Sequence, residues 1–236
     1  YICTDATAGA NVWTNVGAGS GDVKPASWYG ARGISAGGYQ GVAPTYKELI
    51  DYWTIATLGN AVDFGDLIAR NIELGAVSDG SRGLIVGGYI SGGNTNMIQY
   101  ITIANAGNSI DFGDLTQAVS YPATISNGTR AVRGGGKLVE TEQNVLDYVT
   151  ITTPGNAVDF GDLVVAREGG SPIGNATRGL FGAGKNVSNS YINSIDYITT
   201  ATTGNAYDFG DCTVTVGGRA SCSSETRGVW GGGAAA

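Results

Sequence analysis

The 236-residue chain carries 13 Lys and Arg against 20 Asp and Glu, a formal charge of −7, and no histidine. The lack of any basic cluster argues against nucleic acid and anionic membrane surfaces as partners, and the missing imidazole removes the commonest general base and metal ligand. Forty glycines, with 42% hydrophobic and only 14% charged residues, indicate an all-β body with many tight turns.

In chain order, the opening Tyr1–Trp13 (YICTDATAGANVW) aligns, with a small indel, with Tyr197–Phe209 (YITTATTGNAYDF). It is therefore predicted to supply the third and fourth strands of a repeat unit. Arg32–Gly38 is an apolar run stopped by a glycine pair, followed by a variable loop and by IDYWTIAT (Ile50–Thr57). The next unit shows the pattern most fully. Gly75–Asp79 is extended, Gly80-Ser81 turns, Arg82–Gly88 is the apolar run, and Tyr89–Asn96 is a loop. MIQYITIA (Met97–Ala104) then leads through the turn Asn105–Asn108 into Ser109–Leu115. Four short strands joined by hairpins are expected in each unit, with almost no helix.

The stretch GNAVDFGDL (Gly59–Leu67) returns as GNSIDFGDL, GNAVDFGDL and GNAYDFGDC, placing Phe64, Phe112, Phe160 and Phe209 at intervals of 48 or 49 residues. Such a period signals stacked supersecondary units. Units are expected at about 27–74, 75–122, 123–170 and 171–219, with a last one made from 220–236 together with 1–26. The expectation is a single-domain, five-bladed β-propeller closed by pairing the N- and C-terminal segments. An open solenoid of the same units is the alternative. Tyr1 is not a plausible translation start, so the chain reads as part of a longer one. No run of 18 apolar residues occurs, so no membrane-crossing helix is expected.

The units resemble kelch repeats. The glycine pairs Gly37-Gly38, Gly87-Gly88 and Gly135-Gly136 are followed by Tyr52, Tyr100, Tyr148 and Tyr197, and then by the spaced aromatics Phe64, Phe112, Phe160 and Phe209. Phe in place of the usual Trp makes the pattern kelch-like. The strings IDYITIA, GNA-DFGDL and TRG-FGGG are also similar to modules of tail-fibre and other virion structural proteins of tailed phages, notably cyanophages. That resemblance implies a bacteriophage virion-surface protein, extracellular and homotrimeric, that contacts a host-cell glycan or protein or joins other virion proteins.

Within each unit, the glycine pairs free the backbone at strand ends, and the Tyr and Phe fill the space between units. The DFGD carboxylates (Asp63/Asp66 and their repeats) suit turn chemistry or a charge pair with the repeated Arg32, Arg82, Arg130, Arg178 and Arg227. A calcium ion is a further reading, although no cofactor is expected. Cys3, Cys212 and Cys222 show no zinc spacing, and Cys212 would meet Cys222 only if their strands paired.

The loops between second and third strands, and the connections into each first strand, differ from unit to unit, which is where a repeated scaffold carries recognition. Trp28, Tyr39, Tyr46, Tyr89, Tyr121, Lys137, Lys185 and Tyr191 are the candidate ligand-binding residues. Three readings compete: a fibre adhesin, a purely structural spacer, and a five-bladed glycoside hydrolase. The last needs two carboxylates ~5–9.5 Å apart. Asp22, Glu48, Glu73, Glu140, Glu142, Glu168 and Glu225 have no sequence reason to converge, so no enzyme and no catalytic residue is expected.

Overall fold

A computed structural model describes residues 2–5, 12–14, 31–41 and 46–234. Every regular element among them is a β-strand. The chain opens with an antiparallel hairpin, β1 (Ile2–Asp5) and β2 (Val12–Thr14). A three-stranded sheet follows, from β3 (Arg32–Ala36), β4 (Leu49–Thr54) and β5 (Val62–Asp66).

The second unit is a four-stranded meander of β6 (Gly75–Ser78), β7 (Arg82–Val86), β10 (Met97–Thr102) and β11 (Ile110–Asp114). Its second–third loop folds into a small ladder, β8 (Tyr89–Ile90) with β9 (Gly93–Asn94). The third repeats this with β12 (Ala123–Ser126), β13 (Arg130–Gly134), β16 (Val145–Thr150) and β17 (Val158–Asp162), and a loop ladder of β14 (Lys137–Leu138) and β15 (Thr141–Glu142). The fourth comprises β18 (Ser171–Gly174), β19 (Arg178–Gly182), β20 (Ser194–Thr199) and β21 (Tyr207–Asp211). Two more strands, β22 (Ala220–Ser223) and β23 (Gly228–Gly231), make a two-stranded sheet. The ladder expected between β23 and β1 is not among the described pairings.

The DFGD motif is a β-bulge. Ile98 faces Gly113 but the next residue, Gln99, faces Asp111, so Phe112 is the extra residue of its strand. A bulge re-aims a side chain, and here it turns Phe112 into a core that includes Ala131, Val149 and Ile151 of the following unit. Phe64, Phe112 and Phe160 are each 2% exposed, and burial of this kind contributes about 1.5–3 kcal/mol per side chain. Phe209, expected in the same role, is 48% exposed, because among the described residues no third and fourth strands follow it.

Backbone hydrogen bonds join each outer strand to the next unit. Gly107 N–H donates to Phe64 O (2.6 Å), Gly155 N–H to Phe112 O (2.7 Å) and Gly204 N–H to Phe160 O (2.7 Å). In the same turns Asn108, Asn156 and Asn205 accept through Oδ1 from the amides of Asp66, Asp114 and Asp162, at 3.0–3.1 Å. The Gly-Asn of one unit thus clasps the DFGD of the unit before it.

The repeated arginines do not pair with the DFGD aspartates. Arg82 stands opposite Thr102 whereas Asp111 stands opposite Gln99, on the two strands flanking β10. Three residues of strand separate them, roughly 10 Å. Instead Arg32, Arg82, Arg130 and Arg178 lie over Tyr52, Tyr100, Tyr148 and Tyr197, 4.4–4.8 Å from the ring centroids. Three of them also reach a carbonyl of the next unit: Arg32 to Ile103 O, Arg82 to Ile151 O, both 2.8 Å, and Arg130 to Ala201 O at 2.9 Å. Asp63, Asp66, Asp111 and Asp114 are exposed. Cys212 and Cys222 are both free, since their neighbouring strands β21 and β22 belong to different sheets.

Candidate divergent-loop face

Each connection into a first strand turns through a residue in the left-handed region: Glu73 (φ 56°), Tyr121 (φ 52°), Gly169 (φ 60°) and Gly218 (φ 66°). These turns are linked from unit to unit. Tyr121 N–H donates to Glu73 O at 2.8 Å, and Gly169 N–H to Tyr121 O at 3.1 Å. The second–third loops are tied to the same connections by isolated bridges, Tyr89 with Ile72, Lys137 with Ser120 and Lys185 with Glu168. In the second, third and fourth units the two variable regions therefore meet at one end of the array.

That end carries two groups of side chains. Tyr39, Tyr46 and Tyr89 gather across the first two units, with Tyr46 6.4 Å from Tyr39 and edge-on to Tyr89 at 6.1 Å. Tyr39 is 69% exposed, so an apolar ring faces solvent beside two polar-tipped neighbours. Trp28 lies outside the described residues.

The second group is ionic and centres on Glu168. Lys137 Nζ lies 3.9 Å from Glu168 Oε2 and 3.5 Å from Glu140 Oε2. Burial pushes the Glu168 carboxyl above its ordinary range, against the pull of Lys137 and Lys185 and with the repulsion of Glu142 and Glu73. Glu168 in turn holds the Lys137 ammonium above its usual value. The Tyr121 phenol is raised by burial first, then by its hydrogen bond to Glu73. Lys185 Nζ sits 5.2 Å from the Tyr191 ring centroid and donates to Asn189 Oδ1 at 3.2 Å.

The structure thus brings Tyr39, Tyr46 and Tyr89 together, and gathers Tyr121, Lys137 and Lys185 around one carboxylate, with Tyr191 on the edge. It also brings Glu73, Glu142 and Glu168 into one electrostatic neighbourhood, which the isolated acids did not announce in sequence. Aligning units would have found it. Ile72, Ser120 and Glu168 hold one repeat position, and Tyr89, Lys137 and Lys185 hold the position bridged to it.

Two fully buried ion pairs were also illegible as a motif: Asp147 and Asp196 share a repeat position with Asp51, but the arginines that meet them replace uncharged residues of the other units. Arg133 is bidentate to Asp147, at 3.0 and 2.6 Å, and Arg167 donates to Asp196 at 2.7 Å. Both aspartates reach the preceding unit as well: Asp147 accepts from Thr116 and Asp196 from Val164.

The first strands β6, β12, β18 and β22 lie side by side and border a cavity of about 690 Å³. Ser126, Asn127, Asn175 and Thr226 line it together with the apolar Val77, Ile125 and Ile173, and Glu225 is its carboxylate. Among the described residues, no group of three or more Cys, Asp or Glu is placed to hold a metal ion.

Comparison with protein-family models finds no matching family, and a search of curated proteins finds no significant relative.

Proposed function

We propose that this chain is a non-enzymatic, kelch-like recognition module of virion-surface type, whose divergent-loop face binds a host-cell glycan or protein. Five units form its ring, the last shared between the two chain ends. Assembly as a homotrimer within a fibre, alongside other virion proteins, would present several copies of a weak site and gain by multivalency. The observation that carries the reading is the Tyr39–Tyr46–Tyr89 group. Three aromatic rings from two units converge on the end of the scaffold where sequence varies, and such rings suit sugar faces and protein surfaces alike.

The unit-to-unit backbone clasps favour a second reading, a structural spacer. A uniform, rigid joint suits a load-bearing element that binds nothing. The acid neighbourhood of Glu168 fits a structural role too, since its carboxylate is buried against Lys137.

Glycan-array and cell-surface binding of the intact chain, beside Tyr39→Ala and Tyr89→Ala, separates the two. A recognition module binds a restricted set of ligands and loses that binding on either substitution. A chain that binds nothing, or binds equally well without the two rings, is a spacer.

A further inference from the structure

The joints between units one and two, two and three, and three and four carry different buried groups at one repeat position. Gln99, Asp147 and Asp196 are each no more than 1% exposed. Each accepts from the chain just after the DFGDL of the preceding unit, from the amides of Ile68 (2.9 Å), Thr116 (3.0 Å) and Val164 (2.8 Å). The hydrogen bond is shared by all three joints, but the charge is not.

At the first joint the corresponding groups are uncharged. Ser109 donates to Gln99 at 2.7 Å, and Asn71, in the connection leaving unit one, donates to Gly87 O at 2.8 Å. At the second joint the incoming unit neutralises itself, since Asp147 faces Arg133 of its own second strand. The connection there supplies only Val119, at the position of Asn71. At the third joint the charges are split between units. Phe181 faces Asp196 on the second strand, and the cation is Arg167, from the connection leaving unit three. Arg167 also donates to Phe181 O and Ser194 O, both at 2.9 Å.

We infer that the third joint is a charge-coded address: the fourth unit docks only on the side that presents Arg167, and this fixes its neighbour among near-identical units. Docked on the second unit's trailing side, beside Val119, Asp196 is a buried carboxylate with no cation. Docked on the first, beside Asn71, it is the same. Arg167 against a second unit meets uncharged Gln99, and against a third unit it adds another guanidinium to a pair already balanced. A buried charge without its partner is strongly destabilising, and repeated units otherwise invite misassembly. The backbone clasp cannot make this choice, because it is the same in every joint. The inference needs neither a closed ring nor a ligand.

The test lets one cysteine choose between two neighbours during refolding. Ala206 N–H donates to Asp162 O at 2.7 Å, so thiols at 162 and 207 lie within reach of a short bismaleimide. The full chain carrying Asp114→Cys, Asp162→Cys and Tyr207→Cys is refolded from urea at raised concentration, cross-linked and mapped by mass spectrometry. A 162–207 bridge reports the correct neighbour, and a 114–207 bridge reports unit four docked on unit two. The same chain with Arg167→Asn, Asp196→Gln and Ala206→Ser copies the uncharged first joint. Arg130→Ala is the control, since it weakens the third joint without touching its charge match. With the native pair, and in the control, 162–207 should exceed 114–207 at least about 100-fold. In the uncharged copy that excess should fall at least about tenfold. If the copy fails to fold, Arg167→Met with Asp196→Leu replaces it and is read the same way. An unchanged ratio in the uncharged chain, or an equal fall in Arg130→Ala, overturns the inference.

Discussion

Gly65 lies against Gly107 of the next unit. A Cβ on Gly65 would stand 2.5 Å from the carbonyl carbon of Gly107, while Gly107 N–H donates to the carbonyl of the residue before it, Phe64, at 2.6 Å. The two glycines serve the same joint for different reasons. Gly65 has φ 145° and no room for a side chain, whereas a Cβ on Gly107 would point into open space.

Substitution should separate these roles. Gly65→Ala combines strain with overlap and should destabilise the chain by roughly 2–4 kcal/mol. Gly107→Ala should stay within about 1 kcal/mol of the parent. Urea unfolding of the two variants checks the contrast, and equal losses would mean that the close approach at Gly65 is not the constraint.

The repeated GNAVDFGDL string made the period legible, and with it the strands and the all-β class. What the string does was not legible, because its partners lie about 42 residues away in the adjoining unit, as Asp66 and Asn108 do. A one-unit reading assigns Asn and Asp to their own turn, and in the first–second turns that is right. Asn127 Oδ1 accepts from the amides of Thr129 and Arg130 within its own turn. Charge counting likewise suggested Arg with Asp, but strand register keeps them apart and leaves a tyrosine face under each guanidinium. The loop residues chosen for their aromatic or cationic character do share one end of the array. Their carboxylate partner Glu168 carried no pattern visible without unit-by-unit alignment.

Arg130 combines a stacked ring, Tyr148 at 4.5 Å, with carbonyls of the next unit, Thr200 at 3.3 Å and Ala201 at 2.9 Å. Arg130→Ala should cost about 1–3 kcal/mol through lost cation–π and charge-assisted hydrogen bonds. Arg130→Lys should recover only part of this, since an ammonium lacks the planar fork. Full recovery by lysine, read from thermal or urea unfolding, would contradict the stacked geometry.

The buried Arg133–Asp147 pair should behave asymmetrically. Arg133→Met or Asp147→Leu alone strands a charge and should cost about 3–5 kcal/mol. The double variant should regain a large part of that loss, because no buried charge is left over. A double-mutant cycle by chemical denaturation measures it, and simple additivity of the two losses would show that the groups are independent.

Glu168 sets a pH dependence with a definite sign. Its folded carboxyl is raised by burial, so in the window just above its ordinary 4.5 the folded chain holds a proton that the unfolded chain releases. Its contribution to stability therefore falls as pH rises through that window and levels off above the raised value. Glu168→Gln should remove this slope. Melting temperature against pH for both chains reads the difference, and identical slopes would mean that Glu168 is not held protonated by the fold.

The clasp is tested most directly by native-state hydrogen exchange, residue by residue. Gly107, Gly155 and Gly204 occupy turns that would exchange quickly if each unit stood alone. Bonded to Phe64, Phe112 and Phe160, their amides should exchange at least about 100-fold more slowly than unstructured peptide, in step with the strands they join. Exchange of all three glycines at the rate of free loops would contradict the joint on which the array is built.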